Sequence, residues 1–93
     1  MDMAQIYQFR LYITREDDRS VRAERNLRAI FEKYFPKRSY DMEVIDITQY
    51  PSLLDQDQVL AIPTLVRKSP APERRVVGDM SEYENVVAGM GLS

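Results

Sequence analysis

Pro63 follows a short apolar run, residues 59–62, and precedes a second stretch over residues 64–68. A proline has no backbone N–H to give to a sheet and is tolerated at the first residue of a strand rather than inside it. The residue therefore opens a strand at 64–68, and after a proline-bearing loop residues 74–77 return as a second strand. The stretch VLAIPTLVRKSPAPERRVVGD, residues 59–79, reads as a hairpin entered through a proline. Roughly 5% of X-Pro bonds in folded proteins are cis, so composition by itself leaves the Ile62-Pro63 bond trans.

Upstream, IYQFRLYI (residues 6–13) alternates, with Tyr7, Phe9, Leu11 and Ile13 on one face and Gln8 and Arg10 on the other, as in a strand. After a polar connection, Ser20 is positioned to cap a helix running to about Tyr34. Ala23, Leu27, Ile30, Phe31 and Tyr34 form its buried stripe, and Pro36 ends it. Glu24 with Arg28, and Arg28 with Glu32, stand four apart, each pair contributing a few tenths of a kcal/mol. YDMEVIDI (residues 40–47) begins as alternation and becomes continuous at Val44-Ile45, the pattern of a strand buried on both faces. Strand, helix and strand make a βαβ unit with parallel strands and a right-handed crossover. Residues 51–57 allow one or two helical turns, with Leu53, Leu54 and Val59 against the sheet. Beyond the hairpin, Gly78-Asp79 signals a turn, Ser81 to Glu84 match a capping box, and Tyr83, Val86, Val87 and Met90 form a second stripe. The order β-α-β-α-β-β-α predicts an α/β, thioredoxin-like domain over residues 1–93: a four-stranded mixed sheet with helices on both faces.

The chain has no cysteine and no histidine. Dithiol chemistry, thiolate nucleophiles, Cys- or His-based metal sites and histidine triads are thereby excluded. Thirteen basic and fifteen acidic residues give a net charge of −2, without the basic footprint expected of a nucleic-acid binder. MDMAQIYQ carries no basic segment followed by a long apolar one, and no run approaches the length of a membrane span; the expectation is a cytoplasmic protein. Glu16, Asp17 and Asp18 are three adjacent carboxylates without the ligand spacing of a calcium loop, and Asp17 or Asp18 suits a helix start. Arg15, Arg19, Arg22, Arg25 and Arg28 form a basic stripe, either a solvated face or a docking face for an acidic partner. Arg74 and Arg75 are neighbours on a strand and point to opposite faces.

LAIPTL, then RRVVGD after a P-x-P loop, together with LYI and SVRA upstream and VID in the middle, resemble the circadian clock protein KaiB family over about residues 7–89. The resemblance implies a thioredoxin-like partner-binding form in which Pro63 is cis, and an alternative ground-state fold of the second half in a tetramer. It implies no catalysis and no cofactor, but docking onto a KaiC-like RecA-type ATPase, with a KaiA-like protein or a histidine kinase as further partners. The family's docking region is matched here by Pro51, Leu53, Asp57 and Leu60, with Gln58 standing where a lysine is common and Arg22 and Arg25 as secondary candidates. Asp57 is then expected at the rim, where charge reversal weakens binding without unfolding. Positions that bias the two folds match Gly89 and Gly91, the latter replacing an aspartate. Both are read within a helix over residues 81–92, whose last turn they weaken; the expectation is a chain favouring the thioredoxin-like form, as a monomer or dimer. Two other readings stand beside this one: a redox-inactive peptide or small-ligand binder, and a KaiB-like sensor domain of a histidine kinase.

Overall fold

A computed structural model describes residues 7–35 and 39–92. Its elements run β1 (Tyr7–Ile13), α1 (Asp18–Tyr34), β2 (Tyr40–Asp46), α2 (Pro51–Gln56), β3 (Thr64–Ser69), β4 (Arg74–Val77) and α3 (Tyr83–Gly89). The expected strand start at Ile6 and helix stop at Pro36 lie outside the described residues. The four strands form one mixed sheet in the order β2-β1-β3-β4. β1 pairs parallel with β2, and β3 lies antiparallel to both β1 and β4. This is the α/β, thioredoxin-like arrangement predicted from the element order.

Alternation along β1 divides the core in two. Phe9, Leu11 and Ile13 meet the α1 stripe of Ala23, Leu27, Ile30 and Phe31, and also Val86 and Val87 of α3 with its C-cap Met90. On the other face Tyr12 packs with Ile45, Val59 and Val66 under Leu53 and Leu54 of α2. Helices therefore cover both faces, α1 and α3 on one and α2 on the other.

Several local expectations are corrected. β2 is not buried on both faces: it is an edge strand in which Ile45 alone is fully buried. β3 takes the free side of β1, so the central positions fall to β1 and β3, and the Val44-Ile45 run reflects one residue facing each helix layer. Ser20 is not the cap of α1. Asp17 fills that role, its carboxylate accepting from the Arg19 N–H at 3.1 Å. Ser20 is completely buried one turn later, its hydroxyl accepting from the Thr14 N–H. Arg28 bonds Glu24 at 2.9 Å rather than Glu32, and Glu24 also gathers Arg15. The capping box at Ser81 does not form: Glu82 is the N-cap of α3 without a side-chain cap bond, while Asp79 accepts from the Ser81 N–H. Tyr83 leaves the buried stripe and stands exposed beneath the Lys33 ammonium.

The end of α3 differs from expectation in a way that changes its energetics. Gly91 is not inside the helix; it follows the C-cap Met90 with φ +69°. Its N–H bonds the Ala88 carbonyl at 3.0 Å and the Leu92 N–H bonds the Val87 carbonyl at 2.9 Å, the paired bonds of a Schellman motif. Glycine is the residue best suited to that left-handed position, so Gly91 supports the last turn instead of weakening it. A β-carbon there would also stand 2.7 Å from Arg74 Nε and 3.0 Å from Arg67 Nη1. Gly91→Ala is expected to cost about 1–2 kcal/mol from the left-handed backbone alone. Asn, which tolerates that region better, should cost less, and urea unfolding of the two variants checks the order. Gly89 closes the helix with its Cα against Val76, so that a side chain would meet the valine methyl.

Candidate functional site

The segment joining α2 to β3 is fastened to the sheet by one carboxylate. Asp57 has a side chain only 1% exposed, and it lies 3.0 Å from Arg10 Nη1 and 2.5 Å from Lys68 Nζ. The Tyr12 hydroxyl is in hydrogen-bond reach of both Asp57 and the Leu53 carbonyl, and donates its one proton to either. Arg75 donates to the backbone carbonyls of Asp57 and Gln58. Further out, Arg10 bonds Glu43 at 3.2 Å and Lys68 bonds Glu73 at 2.7 Å. Residues from β1, β3 and β4 thus converge on one turn. Burial pushes the Asp57 carboxyl up, but bonds from Lys68, Tyr12 and Arg10 outweigh it and hold the group below its ordinary range. In return, Asp57 and Glu73 raise the Lys68 ammonium, and burial with the Asp57 bond raises the Tyr12 phenol.

This geometry corrects the expectation of Asp57 as a rim charge. Spacing along the chain could not show that the even-numbered face of β1 and the matching face of β3 aim two cations at it. Asp57 fastens to the sheet the turn that carries Gln58 and Leu60. Gln58 is exposed, with φ +54°, and Leu60 is 98% exposed. Pro51, Asp55 and Gln56 form the outer side of α2, Leu53 is half-buried beneath it, and Tyr50 stands 54% exposed at its entrance. Val77 of β4 adds a further exposed apolar side chain on the α2 side of the sheet.

Arg22 and Arg25 are not part of this face. They lie on α1, across the sheet from α2, and Arg22 reaches Asp79 at 3.7 Å, next to the bond from Asn26 to the Asp79 carbonyl. Arg25 is exposed and has no ion partner among the described residues. The Ile62-Pro63 bond is cis, as the family resemblance implied; Ser69-Pro70 and Ala71-Pro72 are cis as well, which nothing in the sequence signalled. Arg74 and Arg75 do diverge, the first toward α3 and the second toward α2.

Arg67 is the residue that sequence reasoning missed. It is 4% exposed, and donates to the Met90 carbonyl at 2.6 Å and the Pro72 carbonyl at 2.8 Å. It also lies over the Tyr7 ring. The signal available was parity: residue 67 is two beyond Leu65 and so shares its core-facing side. Among the described residues, no group of three or more carboxylates could hold a metal ion, and no helix is long and apolar enough to cross a membrane.

The family model of the KaiB domain matches residues 10–92. The circadian clock oscillator protein KaiB of Thermosynechococcus vestitus is 42% identical over 86 residues, covering 92% of this chain and 79% of that protein. Among solved structures, the N-terminal domain of Synechococcus elongatus SasA superposes with a TM-score of 0.78 at 14% identity, over all of this chain and 90% of that one. Mitochondrial thioredoxin 3 of Saccharomyces cerevisiae gives 0.74 at 12% identity, over 95% and 79% of the two chains. At such identities these two structures establish the fold, which here carries no cysteine. A KaiB match spanning β1 to α3, with 42% identity to a clock protein, establishes more: this chain belongs to the KaiB family of circadian clock proteins.

Proposed function

We propose that this protein is a non-catalytic, cytoplasmic regulator that docks its α2 face onto a KaiC-like RecA-type ATPase. The observation that carries this reading is Leu60: a leucine almost wholly in solvent, on a turn tied to three strands through Asp57 and Arg75. Holding a large apolar side chain rigidly in water has no benefit to the free chain, whereas a preorganised apolar anchor suits an interface centre. Pro51, Leu53 and Gln58 surround it as the contact area, with Asp57 acting through the position of the turn. Arg22 and Arg25, on the far side of the sheet, would meet a KaiA-like protein or another subunit rather than the same surface.

The protein, mixed with its host's KaiC-like ATPase and nucleotide, is expected to co-migrate with it in size-exclusion chromatography. Leu60→Ala should weaken the complex at least ~30-fold, the loss typical of an interface hot spot of about 2 kcal/mol, with the thermal midpoint unchanged. A full-strength complex with Leu60→Ala would remove this face from the interface. The SasA likeness favours a second reading, a KaiB-like sensor domain attached to a histidine kinase. The much higher identity to KaiB itself weighs toward the regulator.

A further inference from the structure

Between Arg38 and Arg67 the chain carries five carboxylates and no lysine or arginine. Those residues build β2, α2 and the approach to β3, so the imbalance along the chain becomes one across the surface. Asp41 and Glu43 occupy alternate positions on the α2 side of the edge strand β2, and Asp55 is exposed on α2. Between strand and helix runs a groove of about 370 Å³ lined by Glu43, Tyr50 and Leu53 among others.

Among the described residues, the cations on this side of the sheet are already committed. Arg10 holds Glu43 and Asp57, Lys68 holds Asp57 and Glu73, and Arg75 holds two backbone carbonyls. Asp41 and Asp55 have no ion partner among the described residues. The arginines of α1 lie across the sheet and leave the outward balance of the α2 face acidic.

We infer that the surface this face receives is basic: lysine and arginine side chains arranged around the apolar contact with Leu60 and Tyr50. The inference rests on the docking reading above and adds the charge of the partner. Glu43 is bonded to Arg10 through one carboxylate oxygen and is 69% exposed, so its other oxygen faces outward beside the Tyr50 ring, the two groups that together hold a guanidinium or ammonium. An acidic protein surface would bring like charges together at the rim, and a nucleic acid would present phosphates to carboxylates; both are disfavoured at encounter.

The test is the association rate of the ATPase with a double variant, Asp41→Lys with Asp55→Lys, both sites exposed and outside the ion network. At about 50 mM salt the variant is expected to associate at least tenfold more slowly than the parent, and the two rates should converge near 0.5 M, where the screening length falls to a few ångströms. Equal or faster association at low salt overturns the inference. So does an equal slowing by Glu82→Lys with Glu84→Lys on α3, which would indicate net charge rather than this face. The two readings fail differently. Loss of binding by Leu60→Ala with no effect of the double variant overturns only the basic partner; no complex, or no effect of Leu60→Ala, overturns the docking face on which it rests.

Discussion

Asp57→Lys is expected to remove a large share of the stability of this protein. The substitution places a third cation between Arg10 and Lys68, where a carboxylate only 1% exposed now pairs with both. Breaking a buried ion pair costs about 3–5 kcal/mol because the remaining charge is left uncompensated. A chain of 93 residues has about 5–14 kcal/mol in total at the usual stability per residue. Asp57→Asn keeps the volume and an acceptor oxygen but loses the charge, so its cost should fall near 2 kcal/mol, the scale of a charge-assisted hydrogen bond. Urea unfolding of both, read by far-ultraviolet circular dichroism, measures the difference; a lysine variant as stable as the parent would show that the network is only apparent.

The same carboxylate sets part of the acid response. Its pKa in the folded protein is held down by Lys68, Tyr12 and Arg10, so the folded state binds its proton less readily than the unfolded chain. The stabilisation is therefore fully present above the ordinary aspartate value near 4 and is lost as pH falls through the lowered one. Between pH 7 and 5 this group contributes no slope. Below pH 4 the parent should lose stability more steeply than Asp57→Asn.

Arg67→Met is expected to cost about 2–3 kcal/mol. Replacing a buried ion pair by apolar residues of similar volume is often neutral, but Arg67 is not paired with a carboxylate among the described residues. Its partners are the carbonyls of Met90 and Pro72. Methionine would fill the space and leave those acceptors without a donor, a penalty of about 1–3 kcal/mol for each one that water cannot reach. Lysine should rescue poorly, because one ammonium lacks the planar fork that spans two acceptors. Hydrogen exchange provides the local readout. The amides of Gly91 and Leu92, which close the end of α3, should lose protection in Arg67→Met before those of β1. Unchanged protection there would limit Arg67 to filling volume.

Arg67 and Gly91 together alter the basis on which the chain is expected to favour its thioredoxin-like form. Read along the sequence, two glycines near the end of a helix are a weakness. In the fold, Gly91 takes the one conformation in which glycine is preferred, and Arg67 ties the adjacent carbonyl to the sheet. Both residues act at the junction where α3 meets β3 and β4.

The sheet and its helices were legible because each depends on local periodicity. Alternation of Phe9, Leu11 and Ile13 against Gln8 and Arg10, the α1 stripe, and the position of Pro63 each specify an element without any knowledge of its neighbours. The family resemblance alone marks residues 51–60 as a docking region, and periodicity made only their outline legible, one short helix and its exit. What each residue does there was not legible. Asp57 and Asp55 are both acidic residues at the end of α2, yet one is buried among three strands and the other is in solvent. Leu60 reads as part of an apolar run until the sheet order leaves it without a neighbour. β2 reads as a central strand until β3 takes the other side of β1.

The amino-acid sequence by itself determined the element order, the buried faces of β1 and α1 and the absence of thiol and imidazole chemistry, since these follow from periodicity and composition. Only the tertiary structure decided which charges are buried as structure and which apolar side chains remain in solvent. The physical reason is that a carboxylate's burial and a leucine's exposure depend on what strands distant in sequence bring against them: Arg10 and Lys68 reach Asp57 across separations of 47 and 11 residues. Those distances are closed by strand pairing, not by any pattern within a strand.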